Sequence, residues 1–69
     1  MKENVLQLQV ESALLQDTLT QDYGIEVLDS NGVITLRGRV PNHRVREQAE
    51  AVARQVAGVT TVINELDVV

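Results

Sequence analysis

Asn31-Gly32 and the eight residues behind it, Val33-Ile34-Thr35-Leu36-Arg37-Gly38-Arg39-Val40, constrain this chain more than any other stretch. Asn-Gly flanked by alternating apolar residues is the strongest short hairpin signal, because both residues tolerate the positive φ that a tight turn requires. Ile34, Leu36 and Val40, with Gly38 in step, then occupy every second position, and Val33, Thr35, Arg37 and Arg39 alternate with them. β-Branched residues at period two predict a strand with one buried and one wetter face. Pro41 removes a backbone donor and ends that strand, and Asn42 offers a helix N-cap. The strand is expected at the centre of the fold, with one helix and one strand packing in from each side in sequence.

From about Asn4 to Thr20, Leu6, Val10, Ala13 and Leu14 recur at helical spacing, and Val5, Leu8, Leu15 and Leu19 are expected to widen that stripe. Asn4 is the expected N-cap, and Tyr23-Gly24 the expected end, with Gly24 left-handed. Ile25 to Leu28 predicts a short strand. A two-residue loop sets Val27 opposite Leu36 and Glu26 opposite Arg37; a four-residue loop keeps the same faces, so the register stays open. A second helix is expected from Asn42 to about Ala57, burying Val45, Ala49, Val52, Ala53 and Val56 and turning Glu47, Glu50, Ala51 and Arg54 outward. Gly58 should end it. Val59 to Val69 predicts a third strand with Val62, Leu66 and Val68 on one side, where Asn64 also falls and needs a partner if buried. A right-handed crossover makes this strand parallel to the central one. The expected class is α+β, an αββαβ two-layer sandwich with a three-stranded mixed sheet and two helices on one face.

Sixty-nine residues make one domain, 1–69, and a chain this short buries only about 60% of its unfolded surface. Without Cys, no disulfide or thiolate site can staple it, and with Tyr23 as its one aromatic residue the core must be aliphatic. Stacking platforms for nucleobases are missing, and the net charge of −4 opposes general nucleic-acid binding. The charge is unevenly placed. Arg37 to Arg46 holds four Arg, His43 and no acid, whereas the remainder sets two basic residues against ten acidic ones. No apolar run approaches the length of a membrane span, and no signal-peptide stretch follows Met1-Lys2-Glu3-Asn4. A cytoplasmic location is expected if the chain is complete, and a periplasmic or envelope one if it is cut from a longer secreted protein.

From Val10 to Val68 the chain resembles a BON domain, a small bacterial module common in envelope and stress-response proteins. The resemblance is carried by Gly32-Val33-Ile34-Thr35-Leu36-Arg37-Gly38-Arg39-Val40, by the helix with Ala49 and Ala53, and by Gly58-Val59-Thr60-Thr61-Val62-Ile63-Asn64-Glu65-Leu66. It implies the αββαβ fold and association with phospholipid membranes or other envelope components, without enzymatic activity. The family often occurs in tandem behind a secretion or lipoprotein signal, and this chain shows neither.

The residues themselves build no catalytic constellation. One His and no Cys exclude a Cys–His pair or a His-rich metal site, and Ser12 and Ser30 lack a nucleophile-elbow context. Asp29-x-Asn31-Gly32 begins like a calcium loop, but Val40 stands where the closing Glu belongs, which leaves the plain turn. No cofactor, metal or catalytic residue is expected. Two candidate surfaces remain. Arg37, Arg39, His43, Arg44 and Arg46 form a basic group suited to an anionic phospholipid or membrane surface, or else pair with Glu26, Glu65, Asp67, Glu47 and Glu50. Arginines in the first turn of a helix oppose its dipole, a cost that an anionic partner would offset. On the outer sheet face Leu28, Val33, Thr35 and Ile63 interleave as a modest patch for a protein partner or a homo-oligomer. Leu8, Leu15 and Leu19 offer the same on the first helix, which lacks the Lys and Arg of a membrane-surface helix.

Overall fold

Turn chemistry sets the architecture. In a computed structural model, which describes residues 4–69, Asn31 and Gly32 both adopt positive φ (53° and 89°) and close a two-residue hairpin. Asp29 Oδ1 accepts the Gly32 N–H at 2.9 Å, so this carboxylate belongs to the turn. Strand β1 (Glu26–Ser30) pairs antiparallel with β2 (Val33–Val40), with Val27 opposite Leu36 and Glu26 opposite Arg37. A Cβ at Gly32 would stand 3.0 Å from the Gly58 carbonyl oxygen, and the Gly32 carbonyl itself accepts the Thr60 N–H at 2.9 Å. Only glycine lets the hairpin nest against the start of the next strand.

Helix α1 (Val5–Gln16) precedes the hairpin; helix α2 (His43–Arg54) crosses over to β3 (Thr61–Val68), which runs parallel to β2 in a register from Val33↔Thr61 to Val40↔Val68. The sheet order is β1-β2-β3. With α1 and α2 packed on the same side, this is the expected α+β sandwich. Its core is Val10 and Leu14 of α1, Val45, Ala49 and Ala53 of α2, and Val27, Ile34, Leu36, Val40, Val62 and Leu66 of the sheet. Ala49 and Ala53 are fully buried, and their small side chains let α2 lie close on the strands.

Several expectations need correction. Helix α1 ends at Gln16, short of Thr20, because Asp17 takes an extended conformation and its side chain accepts the Leu19 N–H. Thr20, nearly fully buried, turns back and donates its hydroxyl to the Leu14 carbonyl, supplying a helix-end acceptor with a partner. Gly24 is not left-handed; the positive-φ glycines are Gly32, Gly38 and Gly58. Helix α2 stops at Arg54 rather than Ala57: Gln55, Val56 and Val59 donate to carbonyls three residues back, a tighter winding that runs out at Gly58. Val5, Leu8 and Leu15 do not widen the core stripe but stand 55%, 56% and 63% exposed. At 100° per residue they lie on the side of α1 opposite Val10 and Leu14. Val68 points to the core side but is exposed at the open end of the sheet.

Candidate functional site

The basic residues gather where β2 ends and α2 begins. Alternation along β2 puts Arg37 and Arg39 on the face away from the helices, and Asn42 starts α2 by accepting the Val45 N–H at 2.9 Å. His43 and Arg44 thus occupy the first turn, whose leading N–H groups lack intrahelical partners.

The five residues separate into two groups. Arg37 Nε donates to Glu65 Oε1 at 3.0 Å, an exposed ion pair. That hydrogen bond and the Glu65 charge, with a smaller contribution from Glu26, raise the Arg37 pKa above its ordinary value. Arg46 is half-buried and turned onto β3: its Nε donates to the Leu66 carbonyl at 3.1 Å and its Nη2 to the Asn64 carbonyl at 3.0 Å. Asn64, the polar residue on the core side of β3, has the partner it needs. Its Nδ2 donates to the Arg46 carbonyl at 2.9 Å and to Glu50 Oε1 at 3.3 Å, and its Oδ1 accepts the Leu66 N–H. Glu50, expected to point outward, is held here between Asn64 and Arg54, the latter at 2.6 Å. Arg39, His43 and Arg44 are exposed and make no ion pair among the described residues. The alternation break at Asn64 is the one sequence sign of the Arg46 contact; Arg46 itself stands out in the sequence only as a member of the basic group.

On the outer sheet face the register sets Leu28, Thr35 and Ile63 side by side across all three strands. Leu28 is 39% and Ile63 43% exposed, and Val33 and Thr35 are half-buried between their neighbours. The adjoining row is Glu26, Arg37 and Glu65, so the apolar row is bounded by charge. A third feature, not foreseen as a cavity, is an open groove of about 290 Å³ lined by Glu11, Leu14, Leu15, Tyr23, Gly24 and Ile25. No group of three or more His, Cys, Asp or Glu side chains suited to a metal ion occurs among the described residues. No helix among them is long and apolar enough to cross a membrane.

Comparison with known proteins agrees with this architecture. Residues 2–69 match the family described as BON domain. The chain is 37% identical over 67 residues to the Outer membrane lipoprotein DolP of Haemophilus influenzae, an alignment that takes in 96% of this chain. It spans 35% of the length of that relative.

Proposed function

The chain belongs to the BON domain family, and on that premise we propose that it is a non-catalytic binding module that meets an anionic phospholipid surface. The similar Haemophilus protein is named an outer membrane lipoprotein, which supports a working position beside a bacterial envelope membrane. One observation carries the contact: Arg39, His43 and Arg44 project from an otherwise acidic chain without internal ion pairs among the described residues. Arginine binds phosphate through several donors at once, and the first turn of α2 adds backbone N–H groups to the same end. Arg37 and Arg46 serve this surface indirectly, the first neutralising Glu65 and the second fixing α2 on β3. Co-sedimentation with vesicles of phosphatidylglycerol and phosphatidylcholine, against phosphatidylcholine alone, tests it. Binding should need the anionic lipid, weaken as salt rises, and fall at least tenfold in Arg39→Glu/Arg44→Glu. Binding indifferent to lipid charge and to both substitutions overturns the reading.

A second reading is favoured by the Leu28–Thr35–Ile63 row, continuous across the sheet. In it the outer face docks a protein partner or a second copy. That association would survive salt, and Val33→Lys would abolish it in light scattering. A wild-type chain that stays monomeric across a concentration series removes the self-associating form.

A further inference from the structure

The free edge of β3 carries an unusual set of partners. The Thr61 N–H reaches the Gly32 carbonyl at one end of the strand, and the Val69 N–H reaches the Val40 carbonyl just past the other. Backbone groups alternate sides along a strand, so the odd-numbered residues of β3 pair with β2 and the even-numbered ones face outward. Of the four outward-facing backbone groups of Asn64 and Leu66 in the middle of this edge, three are already bonded. The Asn64 and Leu66 carbonyls accept from the two ends of the Arg46 guanidinium, and the Leu66 N–H donates to the side chain of Asn64. The Asn64 side chain in turn holds the Arg46 carbonyl and Glu50, so the guard is tied to α2 at both ends.

We infer that Arg46 and Asn64 together close the free edge of β3 against strand pairing with a second copy of this chain. An unguarded eight-residue edge strand rich in β-branched residues is a template for such pairing. Here an incoming strand would have to displace a fork of two charge-assisted bonds and an amide at the same three groups. The two ends of the edge, at Val62 and Val68, have no comparable cover among the described residues. The device thus acts at the centre, where a slipped or partial pairing would also have to pass.

Amide hydrogen exchange and sedimentation on the whole chain test this. In the wild type the Leu66 amide should exchange at least tenfold more slowly than the Val62 and Val68 amides of the same edge. Asn64→Ala should erase that difference. Arg46→Met, which keeps the aliphatic stem and removes the donors, should remain folded by circular dichroism and double its mass as concentration rises. The association should slow exchange at Val62 and Val68, the amides that strand pairing would cover. A Leu66 amide as fast as its neighbours in the wild type overturns the inference even if Arg46→Met fails to fold. So does a folded Arg46→Met that stays monomeric, or one whose association leaves the Val62 and Val68 amides unchanged.

Discussion

The two helices are each twelve residues long and begin on an Asn cap, yet they differ in what they leave unburied. Helix α2 buries Val45, Ala49 and Ala53 and shows mostly polar and charged side chains to water. Helix α1 buries Val10 and Leu14 but also carries Val5, Leu8 and Leu15 on its far side, with Glu11 as its one charged residue. A helix with polar residues on the free side has its packing completed by this sheet. One with leucines on both sides has only half of its apolar surface accounted for within the domain, and the groove bordered by Leu15 adjoins that half.

The widest gap should appear between two neighbours on α1. Leu14→Ala removes a side chain packed into the core and should cost about 2–5 kcal/mol, whereas Leu15→Ala should change stability by no more than about 0.5 kcal/mol. Urea unfolding of both variants measures the difference; equal losses would mean that the outer side of α1 is as tightly packed as the inner.

The caps sharpen the contrast next. Asn42 Oδ1 holds the Val45 N–H in a part-buried bond, and Asn4 Oδ1 holds the Gln7 N–H in an exposed one. Asn42→Ala should therefore destabilise by about 1 kcal/mol and Asn4→Ala by roughly half that, read from denaturation midpoints.

The smallest effect lies where the helices are joined. Gln48 of α2 donates to Asp17 Oδ2 at 2.8 Å just past the end of α1. Chiefly that bond, helped by the Leu19 and Thr20 N–H groups and opposed by desolvation, lowers the Asp17 pKa below its ordinary value. A carboxylate whose folded pKa is depressed adds stability above its unfolded value of about 3.9 and loses it as pH falls through the folded one. Stability should accordingly rise with pH across the acid range. Gln48→Ala should flatten that rise slightly, losing a little stability at neutral pH and none at the acid end, as thermal melts over an acid series would show.

What the sequence disclosed follows the same division. Period-two alternation and Asn-Gly located β2, its turn and both faces, because strand geometry and turn sterics act over a few residues. The core stripe of α2 was legible because its polar residues leave one solution. For α1 the spacing of leucines fits a stripe on either side, and only the position of the sheet decides which is buried. The basic group shows the same limit. Arg37, Arg39, Arg44 and Arg46 look alike as a cluster, but Arg46 turns to carbonyls eighteen and twenty residues away and Arg37 to a carboxylate twenty-eight away. Such contacts depend on how β3 returns to β2, which no local pattern encodes. Thr20 is a similar case, a turn threonine whose burial arises from the path the chain takes after Asp17.

The parallel pairing of β2 with β3 has a consequence in time. The hairpin joins close neighbours and can form early, whereas the longer ladder joins residues 28 apart and must wait for the intervening helix to be laid down. Until β3 arrives, Ile34 lacks Val62 beside it, and Gly38 lacks Leu66. The domain is therefore unlocked until its third strand docks, and a chain cut before residue 61 keeps a hairpin and two loose helices rather than a folded unit.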